Sequence, residues 1–377
     1  MFLTKNAKTI YFLITFTTIA ILYVIFRTQT TLHSSQFKVL NTSDIIQHLN
    51  QKHNVHNNNS AILGLNLKYK LSPAPCDIKT KLIILVTSHF HNVEARSAMR
   101  RTFNTTNLHA LSVKRVFLLG TVTSDKSTSQ ASIENESIRF QDILQGNFVE
   151  AYRNLTYKHI MGLKWATDHC YNANYVIKMD DDIVIDLRRI IKDLNIGVLL
   201  ENKKNFTLLA GYALENMVPK RDPANKWFVT HEEYPEDTYP TFLSGWFYIT
   251  NPTTAKLLIL ASKMHQYFWI DDTLITGIFA KFLEIKHVNL AKFYTLHTEF
   301  VWCCIDDYVN HHLECPFFVG PNGGDANLFI EFNKAVGHCS VEKCIPREKS
   351  INETCIRTAR TQLGPGKSQS IETYKLF

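Results

Sequence analysis

Three consecutive aspartates, Asp180, Asp181 and Asp182, follow a short apolar run at residues 175–177. Like charges at the end of a strand repel one another unless a cation offsets the repulsion, and carboxylate oxygens are hard ligands that suit Mg²⁺ or Mn²⁺. Side chains alternate along a strand, so we expect Asp180 and Asp182 on one side and Asp181 on the other. A divalent ion bound there could hold the diphosphate of a nucleotide sugar. The alternative is an acidic turn without a ligand.

Cationic side chains near these aspartates could stabilise a departing diphosphate. Arg96 and Arg100 are four residues apart, which places both on one face of a helix. That face could meet a phosphate or could simply be solvated. Lys178 precedes Asp180 by two residues and points the same way, either as a phosphate contact or as an internal counter-ion.

Sugar transfer also needs a carboxylate, away from the metal, that takes the proton of the acceptor hydroxyl. Asp271 and Asp272 open a helix-like run and could supply that base, although Asp271 could be only a helix N-cap. His297 could complete a metal shell together with Asp180 and Asp182, although a lone histidine is more often structural.

Strand and helix signals alternate from residue 81 onward. Apolar runs at residues 82–86, 116–119 and 175–179 predict buried strands, and residues 157–170 predict a helix. This alternation is typical of an α/β layer with a largely parallel sheet. Open sheets of this kind bind ligands at the carboxyl ends of their strands, which is where the three aspartates fall.

The composition bounds the possible functions. The chain has 377 residues, of which 45% are hydrophobic, enough for a substantial core. Its formal net charge of +7 is spread along the chain rather than gathered into a basic stripe, so nucleic-acid binding is not expected.

The N-terminal segment has the features of a membrane anchor. Residues 10–26 are uncharged, with Lys5 and Lys8 before them and Arg27 after them. This pattern predicts a transmembrane signal anchor with a cytoplasmic tail at residues 1–9. A cleaved signal peptide is the alternative, but no small-x-small cleavage pattern follows. Residues 27–80 are mostly polar and predict a stem.

Cysteines and glycosylation sequons agree with a lumenal location. Eight cysteines suit an oxidising compartment, and six of them lie in residues 301–377, which we interpret as a disulfide-linked C-terminal extension of unassigned pairing. A zinc site is the alternative use of four residues there: Cys303, Cys304, Cys315 and His338. Seven Asn-x-Ser/Thr sequons are present: Asn41, Asn58, Asn104, Asn135, Asn154, Asn205 and Asn352.

Several motifs in sequence order resemble those of the β-1,3-glycosyltransferases (glycosyltransferase family 31), over roughly residues 80–300. The segment from Arg96 to Phe103 is similar to Arg-x-x-Ile-Arg-x-Thr-Trp, and Lys178 to Asp182 matches Lys-x-Asp-Asp-Asp. The segment from Tyr239 to Gly245 resembles Tyr-Pro-x-Tyr-x-x-Gly, and Asp271 to Gly277 resembles Glu/Asp-Asp-Val…Gly. Two further segments match: Val116 to Gly120, and Gln141 to Lys158.

The resemblance implies a GT-A type nucleotide-sugar-binding domain at residues 81–300, with a mixed, largely parallel sheet. It also implies a UDP-sugar donor, Mn²⁺ (or Mg²⁺), and inverting transfer of galactose or N-acetylglucosamine to a glycan on a glycoprotein or glycolipid. Asp180 and Asp182 would bind the metal and nucleotide, and Asp272, or less favourably Asp271, would be the base. Arg96, Arg100, Lys178 and Asp181 would lie near the UDP.

Together with the predicted anchor, this resemblance predicts a single-pass type II protein of the Golgi membrane with a lumenal catalytic domain. The segment Gly245-Trp246-Phe247-Tyr248 departs from the family pattern, because many members have glycines before the tyrosine. A catalytically inactive, membrane-anchored glycan-binding protein that keeps the fold is therefore the alternative.

Overall fold

A computed structural model describes residues 67–122, 129–196, 207–341 and 344–356. The predicted cytoplasmic tail and transmembrane segment, most of the predicted stem, and the sequons at Asn41, Asn58 and Asn205 lie outside these residues. Within the described ranges, no helix combines the length and the apolar character that a membrane span requires.

Eight strands form one mixed sheet in the order β1-β4-β3-β2-β5-β8-β7-β9, and β10 pairs with β6 in a second, two-stranded sheet. The strand bounds are β1 Tyr69–Leu71, β2 Leu82–Thr87, β3 Val113–Thr121, β4 Ile143–Val149, β5 Tyr175–Asp180, β6 Ile183–Ile185, β7 Leu209–Leu214, β8 Phe242–Thr250, β9 His287–Asn289 and β10 Val319–Pro321. The predicted mixed α/β sheet is confirmed.

The sheet combines parallel and antiparallel pairs. Strand β2 lies parallel to β3 and to β5, and β3 lies parallel to β4. Strand β8 is antiparallel to both of its neighbours, β5 and β7. At the two ends of the sheet, β7 and β9 are parallel and β1 and β4 are antiparallel, so the sheet is mixed, with a continuous parallel part at β4-β3-β2-β5.

Helices and helical turns connect the strands. The α-helices are α1 Val93–Thr102, α2 Thr105–Ala110, α3 Gln130–Phe140, α4 Leu155–His169, α5 Leu187–Ile196, α6 Pro252–Ser262, α7 Ala280–Phe282, α8 Thr298–Asp306, α9 Ala326–Val341 and α10 Ile351–Thr354. Short 3₁₀ turns lie at Tyr152–Asn154 and Ala291–Phe293, and π-helical segments lie at Thr273–Phe279 and Asp307–His311.

Two hydrophobic cores cover the two faces of the sheet. Along β2, Leu82, Ile84 and Val86 belong to one core, whereas Ile83 and Leu85 belong to the other. An unbroken apolar strand is what burial on both faces requires. Because both faces of the sheet are covered, a ligand can reach the sheet only at the ends of its strands.

The carboxyl ends of β2 and β5 lie side by side, because Thr87 pairs in register with Asp180. Strand β8 runs antiparallel beside β5, and Lys178 pairs in register with Tyr248. The segment around Gly245 therefore reaches the same edge of the sheet as the three aspartates.

The compact fold extends beyond both predicted domain boundaries. Strand β1 lies within the predicted stem but pairs with β4, and Cys76 forms a disulfide with Cys170. In the predicted C-terminal extension, β10 pairs with β6. The sheet thus begins before residue 81, and residues 319–321 are part of the same structure rather than an appendage.

All eight cysteines are paired: Cys76–Cys170, Cys303–Cys355, Cys304–Cys315 and Cys339–Cys344. The alternative of a zinc site built from Cys303, Cys304, Cys315 and His338 is wrong, because its three cysteines carry no free thiolate.

Candidate active site

A cleft of about 730 Å³ opens at the carboxyl edge of the sheet. Its lining includes both predicted acidic groups, Asp180 to Asp182 and Asp271 to Asp272, together with Lys178. The two groups are about 90 residues apart in sequence. They meet because β5 ends at the first group, and the chain after α6 returns to the same edge at the second.

The three consecutive aspartates have different surroundings. Asp181 is buried and accepts hydrogen bonds from Ser88 Oγ at 2.6 Å and from Asn92 Nδ2 at 3.0 Å. Asp182 is exposed to the cleft, and its main-chain oxygen accepts from Asn322. Asp181 therefore ties the segment after β5 to the segment after β2, and a ligand role of Asp180 and Asp182 stays a prediction.

The acidic segment is electrostatically unfavourable without a cation. Partial desolvation, followed by the charges of Asp180 and Asp181, raises the pKa of Asp182 to about 6. Oδ1 of Asp180 accepts a hydrogen bond from Lys178 Nζ at 2.7 Å. These oxygens suit Mg²⁺ or Mn²⁺, which proteins often bind through one or two carboxylates while substrate phosphates and water fill the remaining positions.

His297 is not part of the cleft lining. Its side chain is exposed, and its ring centroid lies 5.4 Å from that of Phe300. Among the residues that the structure describes, no group of three or more His, Cys, Asp or Glu side chains is arranged to hold a metal ion. The predicted metal contact of His297 thus stays a prediction.

Lys178 lies between the two acidic groups. Its ammonium donates to Asp180 and to the main-chain oxygen of Gly245. Burial alone would lower the pKa of Lys178, but the charges of Asp180 and Asp271 outweigh burial and the pKa lies above its usual value. Lys178 is therefore the internal counter-ion that the sequence offered as one alternative, and it also lines the cleft.

Asp272 is the N-cap of the π-helical segment Thr273–Phe279. Its Oδ1 accepts from Thr273 N at 2.7 Å, and its Oδ2 accepts from Gly245 N at 3.2 Å. Burial, and then the charge of Asp271, raises the pKa of Asp272 to about 7. A carboxyl group that titrates near neutral pH is suited to general base catalysis.

Gly245 makes this position of Asp272 possible. A Cβ atom at residue 245 would lie 3.0 Å from the Cβ of Asp272 and 3.3 Å from its Oδ2. The absence of a side chain thus lets the carboxylate approach the main chain of β8 and accept its N–H. Close contact with Asp272 therefore explains why a glycine stands at the last position of the Tyr-Pro-x-Tyr-x-x-Gly pattern.

Asp271 ends a buried hydrogen-bonded chain that the sequence did not predict. Its Oδ2 lies 2.8 Å from His159 Nδ1, and His159 Nε2 lies 2.5 Å from the hydroxyl of Tyr248. Burial lowers the pKa of His159 and raises that of Tyr248. The neutral imidazole therefore accepts from Tyr248 and donates to Asp271.

The pKa values of the two neighbouring carboxyl groups, Asp271 and Asp272, are shifted in opposite directions. Burial would raise the pKa of Asp271, but the hydrogen bond from His159 and the charge of Lys178 hold that pKa below its usual value. Asp271 is thus a fixed anion whose charge helps to raise the pKa of Asp272. No local sequence signal identifies His159, because its partners lie 112 and 89 residues away.

Arg96 is not among the residues that line the cleft. It is fully buried, and all of its guanidinium nitrogens donate to protein acceptors: Glu136, Ser88 Oγ and the main-chain oxygens of His89 and Phe90. Arg96 thus holds the loop after β2 in place through Ser88 and two main-chain oxygens. The hydroxyl of Ser88 in turn donates to Asp181.

Arg100 also lies outside the cleft lining. It makes two hydrogen bonds to Asp142, at 2.7 and 2.9 Å, and one to Glu136 at 2.7 Å. The spacing correctly placed Arg96 and Arg100 on one helical face, since both bind Glu136. That face packs against α3 and does not line the cleft, and a position of the two arginines near UDP stays a prediction.

Trp246 and Phe247, which stand where many family members have glycines, both lie beside the ring of Tyr294. Trp246 lines the cleft, and its ring centroid lies 5.6 Å from that of Tyr294. Phe247 is fully buried in a hydrophobic core. Only one of the two large side chains therefore takes up space where a donor would bind.

Comparison with known proteins shows the family to which this chain belongs. A family model described as galactosyltransferase matches residues 94–291, just over half of the chain, and includes both acidic groups. The chain belongs to the galactosyltransferase family. The predicted resemblance to β-1,3-glycosyltransferases is confirmed.

The chain is also similar to curated proteins named β-1,3-galactosyltransferases. β-1,3-Galactosyltransferase 5 of Homo sapiens is 34% identical over 206 residues, which cover 54% of this chain and 64% of that protein. β-1,3-Galactosyltransferase 2 of Mus musculus is 31% identical over 219 residues, which cover 57% of this chain and 51% of that protein. The matched part thus spans between half and two thirds of these relatives.

Among solved structures, the apo form of the bifunctional glycosyltransferase WbbM is similar at 12% identity and a TM-score of 0.35, covering 67% of this chain and 50% of that one. A likeness at this level carries no argument about the site.

Proposed function

We propose that this chain is an inverting hexosyltransferase of GT-A type, which transfers galactose or N-acetylglucosamine from a UDP-sugar to a glycan hydroxyl and forms a β-1,3 linkage. The observation that carries the proposal is the pairing, in one cleft, of hard carboxylate ligands at Asp180 and Asp182 with Asp272, whose pKa is raised to about 7.

Asp180 and Asp182 would hold Mn²⁺ or Mg²⁺, which neutralises charge on the departing diphosphate when it is bound. Lys178 adds a fixed positive charge beside Asp180. Asp181 keeps the end of β5 against the loop after β2 through Ser88 and Asn92. These residues bind and orient the donor.

The acceptor hydroxyl would attack the anomeric carbon as the bond to UDP breaks, and its proton would pass to Asp272. A single displacement inverts the configuration, so an α-linked donor sugar yields a β product. The Thr273 and Gly245 amides hold the Asp272 carboxylate in place, while Asp271 is kept charged by His159 and Lys178. Asp272 is therefore better suited than Asp271 to gain a proton near neutral pH.

Galactose is the favoured donor sugar because the relatives are named β-1,3-galactosyltransferases. A glycan on a glycoprotein or glycolipid is the proposed acceptor. A single-pass type II position in the Golgi membrane is supported by the uncharged run at residues 10–26 and by four disulfides in the part of the chain behind it. This proposal keeps the catalytic domain in the lumen.

Asp182→Ala tests the donor site. The variant should fold, because Asp182 packs against little and its charge is repelled by its neighbours, but it should lose almost all transfer and all Mn²⁺-dependent UDP affinity. Asp168→Ala is a matched control, since Asp168 is exposed on α4 and pairs only with Lys164.

Calorimetry of UDP binding, with Mn²⁺ or with EDTA, and radiolabelled UDP-sugar turnover give the two readouts. Transfer by Asp182→Ala at the wild-type rate would remove the metal role. UDP affinity in a folded wild-type chain that does not respond to Mn²⁺ would contradict the proposed function and leave the inactive glycan-binding alternative.

A further inference from the structure

Buried polar atoms without partners are concentrated in the cleft. Six buried side-chain nitrogen or oxygen atoms lack a hydrogen-bond partner among the described residues. Four of them belong to residues that line the cleft: Thr87 Oγ1, Tyr239 OH, Trp269 Nε1 and Thr273 Oγ1. Proteins satisfy nearly all such atoms, so four of them in residues of one cleft point to a ligand or ordered water that supplies the partners.

Aromatic rings form the adjacent side of the same cleft. Trp227 and Tyr152 also line it and leave 49% and 44% of their surfaces exposed. Their relative position is fixed, because Trp227 Nε1 donates to the hydroxyl of Tyr152 at 3.0 Å and the Lys226 ammonium lies 4.5 Å from the Tyr152 ring centroid. We call Tyr152, Trp227, Tyr239 and Trp269 the aromatic wall.

The aromatic wall borders the candidate base. The ring centroid of Trp269 lies 5.9 Å from that of Tyr152, and Trp269 precedes Asp271 by two residues. Tyr152, Trp269, Asp271 and Asp272 all line the same cleft. A molecule on this wall therefore lies beside the group that would remove its proton.

Exposed aromatic faces combined with hydrogen-bond donors match the surface of a pyranose sugar. One face of such a ring carries C–H groups, which pack against aromatic faces, and its hydroxyl oxygens accept hydrogen bonds. A diphosphate is bound by cations and N–H donors rather than by aromatic faces. A nucleobase does stack on aromatic rings, so a raised donor KM in the variants below is the result that would assign the wall to the nucleotide.

We infer that the aromatic wall is the subsite for the acceptor sugar. A neutral pyranose packs on Trp227 and Tyr152, the N–H of Trp269 and the hydroxyl of Tyr239 donate to its oxygens, and its nucleophilic hydroxyl faces Asp272. This inference rests on the proposed function and adds to it the part of the cleft that recognises the acceptor.

Tyr239→Phe isolates one hydroxyl. Because that hydroxyl is buried without a partner, its removal should leave the melting temperature at or above that of the wild type, while the acceptor KM rises about three- to tenfold. Tyr294→Phe is the matched control, since the hydroxyl of Tyr294 donates to Phe247 O and Tyr294 does not line the cleft. The control should melt at a lower temperature with an unchanged acceptor KM.

Trp227→Ala removes an exposed ring face and should raise the acceptor KM roughly tenfold, with the donor KM within about twofold of the wild type. Tyr171→Ala, which removes a ring that is 77% exposed elsewhere, should change neither constant. The assay uses the full-length chain, UDP-galactose and UDP-N-acetylglucosamine with Mn²⁺, and benzyl β-glycosides of galactose and N-acetylglucosamine as acceptors.

The inference fails if Tyr239→Phe and Trp227→Ala both keep the wild-type acceptor KM, or if they change the donor KM instead. Glycan-array binding with UDP and Mn²⁺ separates this result from failure of the proposed function. If the wild-type chain binds glycans on the array and the Trp227→Ala variant does not, the subsite is supported even when the chain transfers no sugar. A wild-type chain that neither transfers to a glycan nor binds one overturns it.

Discussion

Replacement of Asp272 by Asn should change stability in a way that depends on pH. Burial and the charge of Asp271 raise the pKa of Asp272 from 3.8 to about 7 in the folded protein. The folded state therefore binds this proton more tightly than the unfolded state. The stability that the protonated group contributes is fully present below pH 4 and is lost as the pH rises through about 7.

The structure gives the magnitude. The two pKa values differ by about three pH units, and each unit corresponds to about 1.4 kcal/mol, so ionised Asp272 lowers the free energy of unfolding by about 4 kcal/mol at pH 8. Asn at residue 272 avoids this loss. Its amide cannot accept from both Thr273 N and Gly245 N, and one unpaired amide costs about 1–3 kcal/mol at every pH.

The variant should therefore be less stable than the wild type at pH 4 and more stable at pH 8, while transfer slows by about 10²–10⁴-fold. Urea unfolding followed by tryptophan fluorescence, at several pH values between 4 and 8 in EDTA, measures the difference. Asp271→Asn is the matched control with the opposite sign. Because the pKa of Asp271 is lowered, its carboxylate stabilises the fold above the unfolded pKa, so this variant should be destabilised at neutral pH.

The reasoning is refuted if the difference in unfolding free energy between Asp272→Asn and the wild type stays constant from pH 4 to 8. It is also refuted if the two variants show the same dependence on pH, because the opposite surroundings of the two carboxyl groups would then have no energetic consequence.

Two further predictions concern parts of the fold that support the cleft. His159→Phe leaves the Asp271 carboxylate and the Tyr248 hydroxyl without their shared partner, so we expect the free energy of unfolding to fall by about 2–5 kcal/mol; an unchanged urea midpoint would argue against the buried chain. Replacing Cys76 and Cys170 together by serine removes a link across 94 residues and should cost about 4–5 kcal/mol, against about 2 kcal/mol for the Cys339–Cys344 link across 5 residues. Equal losses in non-reducing urea unfolding would contradict the loop-length argument.

Local sequence patterns were enough for the central strands and for both acidic groups. The apolar runs at residues 82–86 and 175–179 are strands β2 and β5, and the predicted helix at 157–170 is α4 at Leu155–His169. Such predictions succeed because burial on both faces requires an unbroken apolar run, which is visible in the sequence. Strand β1 has no such run, since its three residues pair at the sheet edge with β4.

The arginine prediction shows where local reasoning ends. Helical periodicity correctly placed Arg96 and Arg100 on one face, but periodicity cannot say what that face meets. The partners, Glu136 and Asp142, lie on or just after another helix about 40 residues further along the chain. The same local sequence fits two buried arginines bound by carboxylates and two arginines beside a phosphate, so it does not distinguish these environments.

The amino-acid sequence by itself determined which acidic groups are available: carboxylates at Asp180 and Asp182 after an apolar strand, and a second acidic pair after α6. Only the tertiary structure decided how the pKa of each carboxyl group in that pair is shifted. Asp271 and Asp272 are neighbours of the same residue type, and they titrate in opposite directions because His159 reaches one of them across 112 residues while Gly245 lets the other lie against the main chain of β8. A pKa depends on burial and on neighbours in space, and neither is a property of the local sequence.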